Sequence, residues 1–276
     1  MCVMTPWYQY NDWMQAAKFS SIKAILFDLD GVLYVGNTAI PGAIAAANAI
    51  RQAGYACRFV TNTSTLSLAA LQSKLAALGF DVTTEEIMSA PQAAIQYLQQ
   101  QPNPVCRLLL ANDVKQDFAH FPQSDTEANF IVVGDIGNAW TYPMLNEVFA
   151  CLTRGAKLIA IHKNRFWQTE HGLQMDIGAF ITGLEYAANT QAMLIGKPSA
   201  DFFNMALTDL NMQSNEVLMV GDDIDSDVGG AQTAGLMGVL VRTGKYRQAY
   251  AESSAIKPDA VIDSVADLPE LLKISN

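Results

Sequence analysis

The sequence is poor in the residues on which several common kinds of site depend. It contains four cysteines and three histidines among 276 residues, and no two cysteines form a C-x-x-C pair. A zinc site is therefore not expected. Cys57 and Cys106 lie in apolar runs, where buried free thiols are common. This use of cysteine favours a reducing, cytoplasmic compartment.

Positive charge is also scarce. Seventeen Lys and Arg residues face 27 Asp and Glu residues, which gives a net charge of −10. Binding to a nucleic-acid backbone needs a basic face, so no nucleic-acid partner is expected. A phosphate site in this chain would need a local positive source, such as a metal ion, a lysine or backbone N–H groups.

Long apolar runs are missing as well. None approaches the roughly 20 residues that span a bilayer, so no membrane association is expected. Residues 1–20 lack a basic start and a continuous apolar stretch, which argues against a signal peptide. We interpret them as an N-terminal extension, with a helix that packs its aromatic side chains onto the body of the protein.

Familiar catalytic motifs are absent too. There is no G-x-S-x-G elbow and no G-x-x-x-x-G-K-[ST] loop, since Gly244-Lys245 is followed by Tyr246. All three histidines fall in the middle third of the chain. A histidine-centred mechanism in the remainder is therefore not expected.

What the sequence does contain is an alternation of short apolar runs with helical patterns. This rhythm predicts a parallel sheet covered by helices, in an α/β fold. It occurs in the first third and again in the last third, and the middle third alternates separately. We therefore predict a Rossmann-like three-layer core formed by residues 21–84 and 190–276, with an inserted α/β domain at 85–189.

Polar residues follow four of the predicted strands. Ligands of parallel α/β sheets bind where the strands end at their carboxyl side, so these segments are candidates for one site. They are Asp28-Leu29-Asp30-Gly31, Thr61-Asn62-Thr63-Ser64-Thr65, Gly196-Lys197-Pro198-Ser199 and Gly221-Asp222-Asp223-Ile224-Asp225-Ser226-Asp227.

Each segment has a chemical and an ordinary interpretation. The first supplies a carboxylate nucleophile and Mg²⁺ ligands, or it is an Asp-rich turn. The second holds phosphate oxygens, or it caps a helix. The lysine of the third offsets negative charge, or it lies at a surface turn. The aspartates of the fourth repel one another unless a cation lies beside them, or they form a solvated loop.

Taken in this order, the four segments resemble the motifs of the haloacid dehalogenase superfamily. D-L-D-G-V-L-Y is similar to the first motif, F-V-T-N to the second, G-K-P to the third and G-D-D-I-D-S-D to the fourth. The resemblance covers most of residues 22–276. The insert resembles the C2-type cap of the phosphatases called subclass IIA.

This resemblance implies a Mg²⁺-dependent phosphohydrolase with an aspartyl-phosphate intermediate. It assigns the attack on phosphorus to Asp28, and proton transfer and a carbonyl ligand for Mg²⁺ to Asp30. Phosphate binding falls to Thr61, Asn62 and Thr63, and charge balance to Lys197. It assigns Mg²⁺ binding to Asp222, with Asp227, or less favourably Asp223, assisting.

Alternatives remain at this stage. A phosphomutase would return the phosphoryl group to a substrate hydroxyl, and a non-catalytic binding protein would keep only the fold. The second aspartate, Asp30, favours phosphoester hydrolysis over dehalogenation. The expected partner is a small phosphorylated substrate, and a homodimer is left open.

The insert offers candidates for substrate specificity. Asp176 and Gly178 stand where related caps place a specificity loop. His162, Lys163 and Arg165 have the chemistry to bind a second anionic group, although an ordinary surface role fits each of the five residues as well.

Overall fold

A computed structural model describes residues 18–169 and 172–274. Most of the predicted N-terminal extension, including its aromatic helix, lies outside the described residues. The strands are β1 (Ala24–Asp28), β2 (Tyr34–Val35), β3 (Thr38–Ala39), β4 (Ala56–Thr61), β5 (Ile87–Ser89), β6 (Cys106–Leu109), β7 (Phe130–Val133), β8 (Lys157–Ala160), β9 (Phe166–Thr169), β10 (Gly172–Met175), β11 (Met193–Leu194), β12 (Val217–Gly221), β13 (Met237–Val241) and β14 (Ala260–Ile262).

The helices between the strands follow the predicted pattern closely. They are α1 (Ala43–Gln52), α2 (Leu68–Ala77), α3 (Ala90–Gln99), α4 (Asn112–Lys115), α5 (Tyr142–Thr153), α6 (Gly178–Ala188), α7 (Ala200–Leu210), α8 (Gly230–Thr233), α9 (Gln248–Ser253) and α10 (Leu268–Leu271). Short 3₁₀ turns cover Thr84–Glu86, Gln116–Phe118, Gly137–Ala139, Ser214–Glu216 and Val265–Asp267, and a π-helical segment covers Ile224–Gly229.

The chain divides into two compact units. Among the described residues, the first comprises 18–60, 78–80 and 203–274, and the second comprises 61–77, 81–169 and 172–202. Each unit groups the residues that pack most closely with one another. The predicted core and cap boundaries instead mark where an inserted domain begins and ends along the chain. Those boundaries, at 84/85 and 189/190, therefore stay a prediction.

The first unit is built on a parallel sheet in the order β14-β13-β12-β1-β4. Every residue of β1 and β12 is buried. Phe27 pairs with Val220 of β12 and with Phe59 of β4, and the two phenyl rings stack at 5.7 Å. This register brings Asp28 and the residues after Gly221 to the same carboxyl edge of the sheet.

The second unit contains a separate parallel sheet in the order β11-β8-β7-β6. Helices α5 and α6 pack on it through a buried cluster that includes Val148, Cys151, Ile181 and Leu184. An antiparallel hairpin of β9 and β10 joins β8 to α6, with Phe166 opposite Met175.

The structure confirms the predicted α/β class with a parallel sheet. It also confirms that Cys57 and Cys106 are buried free thiols, and Cys151 is a third. The hairpin β9–β10 was not predicted. Within the described ranges, no helix has both the length and the apolar character needed to cross a bilayer.

Candidate active site

Three buried carboxylates meet at the carboxyl edge of the sheet in the first unit. Asp28 is the last residue of β1, Asp222 directly follows β12, and Asp227 lies one turn further along. Their exposed fractions are 6%, 1% and 1%. One oxygen from each lies within 4.8 Å of the others. Parallel pairing of β1 and β12 produces this convergence, because equivalent strand ends share one edge.

The four aspartates of the segment after β12 lie in different environments. Asp223 Oδ1 accepts hydrogen bonds from the N–H groups of Asp225 and Ser226, at 3.0 and 3.1 Å. It therefore caps the π-helical segment. Asp225 is exposed and its Oδ2 accepts from Tyr250 Oη at 2.6 Å. Only Asp222 and Asp227 join Asp28, so the solvated-loop interpretation fails for these two.

Glycines allow the backbone to approach Asp222 closely. Gly31 has φ +89°, and a Cβ placed on it would lie 1.9 Å from Asp222 Oδ2. Gly244 has φ +60°, and its Cβ would lie 2.0 Å from the same oxygen. A side chain at either position would displace the carboxylate. Two separate loops thus depend on glycine to surround Asp222.

The electrostatics of the cluster favour a bound cation. Burial, followed by the charges of Asp28 and Asp227, raises the pKa of Asp222 to about 8, against the lowering effect of Lys245. Asp222 Oδ2 accepts the N–H of Lys245 at 2.7 Å, whereas the buried Oδ1 accepts no hydrogen bond from any described residue. Hard oxygen ligands with an unsatisfied buried acceptor suit a divalent ion such as Mg²⁺.

The second aspartate of the first motif has a different environment. Asp30 is exposed, and its main chain forms an isolated β-bridge with that of Tyr34 in the turn that follows β1. The buried Tyr34 hydroxyl has its pKa raised by burial and by the charges of Asp30 and Asp28. Asp30 is therefore an exposed carboxyl group two residues after the buried Asp28, and its role in proton transfer stays a prediction.

In the second unit, the second and third motifs are joined by reciprocal hydrogen bonds. Asn62 Nδ2 donates to the carbonyl of Lys197 at 2.8 Å, and the N–H of Lys197 donates to Asn62 Oδ1 at 2.9 Å. A Cβ on Gly196 would lie 2.4 Å from Asn62 Oδ1. Lys197 is 3% exposed, so it is not a surface turn lysine.

The hydroxyls of the second motif are ordered by local bonds. Thr61 Oγ1 lies 2.9 Å from Thr63 Oγ1 and accepts the N–H of Thr63 at 3.1 Å. The following helix α2 begins with its first N–H groups engaged, since Ser67 N donates to Asp113 and Leu68 N to Asp117. Anion binding by this segment would therefore depend on its hydroxyls and Asn62 more than on the start of α2.

The specificity candidates of the insert pack against one another. The buried His162 Nδ1 lies 3.9 Å from Asp176 Oδ2, and Lys163 Nζ pairs with Glu185 at 2.5 Å. The N–H of Gly178 donates to the carbonyl of Asn164 at 3.0 Å.

Arg165 is exposed, and its carbonyl accepts the N–H of Asp176 at 3.1 Å. Its role in specificity stays a prediction, as do those of His162, Lys163, Asp176 and Gly178.

One residue near the carboxylates was missed by sequence reasoning. The sequence assigns no role in the site to Lys245, which stands in a failed phosphate-loop motif, yet its N–H donates to Asp222. The available signal was its place after β13, a strand of the same parallel sheet, where polar residues also reach the carboxyl edge.

Comparison with known proteins agrees with this geometry. The family model described as haloacid dehalogenase-like hydrolase matches residues 25–121, and one described as HAD-hydrolase-like matches residues 194–268. Together they include all four motifs. The chain belongs to the haloacid dehalogenase superfamily, and its similarity to phosphatases of that superfamily defines it as a phosphatase.

Two relatives within this superfamily are similar to the protein over most of its length. The phospholysine phosphohistidine inorganic pyrophosphate phosphatase of Xenopus laevis is 36% identical over 94% of this chain and 98% of its own. The human haloacid dehalogenase-like hydrolase domain-containing protein 2 is 41% identical over 82% of this chain and 86% of its own.

Solved structures share the fold. A p-nitrophenyl phosphatase from Archaeoglobus fulgidus has a TM-score of 0.85 and 27% identity, covering 90% of this chain and 98% of its own. A 4-nitrophenylphosphatase from Thermotoga maritima has a TM-score of 0.86 over 92% of this chain and 99% of its own, at 22% identity. The expected α/β phosphatase fold is thereby confirmed.

Proposed function

We propose that the protein is a Mg²⁺-dependent phosphohydrolase that transfers the phosphoryl group of a small molecule to Asp28 and then to water. The observation that carries this proposal is the buried group of Asp28, Asp222 and Asp227 at the carboxyl edge of the sheet. Three carboxylates this close are stable together only with protons or a cation among them. Hydrolysis also agrees with the phosphatase class of the chain.

The residues that would hold Mg²⁺ are Asp28, Asp222 and Asp227, together with the main-chain carbonyl of Asp30. The buried Oδ1 of Asp222 is an acceptor suited to it. When bound, the ion supplies positive charge that offsets the carboxylates and the phosphoryl oxygens.

The chain's own groups account for the bond changes. An oxygen of Asp28 attacks phosphorus, and the bond from phosphorus to the leaving oxygen breaks as Asp30 donates its proton to that oxygen. Asp30, now ionised, takes a proton from water. The resulting oxygen attacks phosphorus and breaks the Asp28–phosphorus bond, which releases inorganic phosphate and restores both aspartates.

Phosphate binding is assigned to Thr61, Asn62 and Thr63, and charge balance to Lys197. The mutual bonds of Asn62 with the Lys197 main chain fix the relation between these two motifs. The buried lysine would supply positive charge beside the phosphoryl group in a chain whose net charge is −10.

The substrate class is a small phosphorylated molecule. The names of the relatives suggest phosphoamino acids and inorganic pyrophosphate for a first panel of substrates, beside p-nitrophenyl phosphate. We further propose a cytoplasmic location and leave a homodimer as a hypothesis.

The first test compares metal dependence in matched variants. We expect EDTA to abolish hydrolysis of p-nitrophenyl phosphate and Mg²⁺ to restore it. Asp227→Asn should weaken the apparent Mg²⁺ affinity at least about tenfold, because a buried ligand is lost. Asp225→Asn, in the same segment but exposed, should stay within about twofold on the same reasoning. Full activity in metal-free buffer would refute the proposal.

A further inference from the structure

The segment after β13 is held against the carboxylate cluster by its main chain. Lys245 N donates to Asp222 Oδ2 at 2.7 Å, and Thr243 Oγ1 donates to the carbonyl of Gly31. Gly244 has no side chain to separate this segment from Asp222, and a Cβ there would lie 2.0 Å from Oδ2. Lys245 is therefore fixed beside Asp222 by two loops of the same unit.

The charge of Lys245 interacts with the whole cluster. Burial lowers the pKa of the Lys245 ammonium, but the charges of Asp222, Asp28 and Asp227, with a smaller one from Asp223, outweigh it and raise the pKa. Conversely, the charge of Lys245 lowers the pKa of Asp222.

We propose that Lys245 is a positioning residue that balances the charge of Asp28, Asp222 and Asp227 in the metal-free protein and thereby weakens their affinity for Mg²⁺. This inference rests on the proposed metal site. A single positive charge reduces the repulsion among three carboxylates before an ion arrives. The same charge repels a divalent ion after it binds. The lysine therefore stabilises the metal-free protein and favours release of the ion.

Coulomb's law sets the expected size. Under the screening of bulk water, a charge of two and a charge of one that lie about 6 Å apart repel strongly enough to change a dissociation constant about tenfold. Arginine would keep the charge, whereas methionine would keep much of the apolar stem without it. The main-chain bond from residue 245 to Asp222 is available in both variants.

The experiment measures Mg²⁺ binding by the purified full chain after EDTA treatment and dialysis. Calorimetry and thermal unfolding are performed in the same buffer and at the same pH for every variant. Lys245→Met should lower the Mg²⁺ dissociation constant about tenfold. Its metal-free melting temperature should fall by several degrees, while its Mg²⁺-saturated melting temperature stays near that of the unmodified protein. Lys245→Arg should behave like the unmodified protein.

Lys257→Met is the matched control, because Lys257 Nζ donates to Ser254 O at 2.9 Å on the same unit. It should leave Mg²⁺ affinity unchanged. An unchanged or weaker affinity in Lys245→Met would overturn the inference alone if the unmodified protein binds Mg²⁺ normally. Absence of Mg²⁺ binding by the unmodified protein would overturn the proposed metal site as well. Lys245→Gln gives the same comparison if the methionine variant does not fold.

Discussion

The backbone of Gly31 lies so close to Asp222 that a Cβ on Gly31 would be 1.9 Å from Asp222 Oδ2. The turn after β1 and the residue after β12 are thus fitted to each other without space for a methyl group. Positive φ at Gly31, +89°, adds a second requirement for glycine. The position of the Asp222 carboxylate consequently depends on a residue that has no side chain.

We expect Gly31→Ala to lose Mg²⁺-induced stabilisation as well as activity, because Asp222 must move away from the new methyl group. Gly36→Ala separates this effect from backbone strain. Gly36 also has positive φ, +58°, but a Cβ there would meet nothing within 4 Å. It should cost about 1 kcal/mol of stability and leave Mg²⁺ binding intact. Thermal unfolding with and without Mg²⁺ measures both variants, and equal Mg²⁺ responses would contradict the role assigned to Gly31.

The raised pKa of Asp222 predicts a specific dependence of stability on pH. The folded pKa of about 8 exceeds the ordinary value of 3.8, so the folded protein holds this proton more tightly than the unfolded chain. The stability contributed by protonation is present below the ordinary value and is lost as pH rises towards 8. Metal-free protein should therefore lose stability across this window, and Asp222→Asn should lose less.

Mg²⁺ should reverse this trend. The ion must displace a proton from the cluster at pH 6 but fewer protons at pH 8.5, so its stabilising effect should increase with pH. Calorimetry in buffers with different ionisation enthalpies measures the protons released. The explanation fails if Mg²⁺ binding releases no proton at pH 6, or if Asp222→Asn keeps the same pH profile.

A substitution at Lys197 can remove the side-chain charge without changing the main-chain hydrogen bonds around it. Asn62 bonds to the main chain of Lys197, so Lys197→Met retains both hydrogen bonds while removing the ammonium. We expect a loss of roughly 10²-fold in kcat/KM, the scale of one electrostatic stabiliser. The melting temperature provides the control for folding. A rate within a few-fold of the unmodified protein would show that the ammonium has no part in the reaction.

The sequence was sufficient to predict the parallel sheet because its strands are short apolar runs separated by amphipathic helices. Asp28 and Asp222 could be placed at one edge for the same reason. The acidic segment alone does not separate Asp227 from its neighbours, and the choice of Asp227 over Asp223 rested on the resemblance. In the structure, a π-helical turn buries Asp227 and leaves Asp225 exposed.

Lys245 and the hairpin β9–β10 were missed for physical reasons. Lys245 contacts Asp222 through its main-chain N–H, which carries no side-chain signature. The hairpin, with Phe166 paired to Met175, joins a parallel strand to a helix in a segment where the rhythm of the insert predicts no strand. Neither feature follows from local periodicity, because each depends on contacts made after the chain has folded.

The two aspartates of the first motif provide the most direct test of the central claim, since their proposed tasks differ. Asp30→Asn retains Asp28 as nucleophile but cannot transfer protons. With p-nitrophenyl phosphate, whose leaving group needs little protonation, this variant should form the aspartyl-phosphate and hydrolyse it slowly. Asp28→Asn should neither turn over nor become labelled.

The decisive measurement is therefore rapid acid quench of Asp30→Asn with ³²P-labelled p-nitrophenyl phosphate, followed by peptide mapping. We predict covalent phosphate on Asp28, within the peptide that ends β1. Label on any other residue, or continued turnover by Asp28→Asn, would contradict the mechanism.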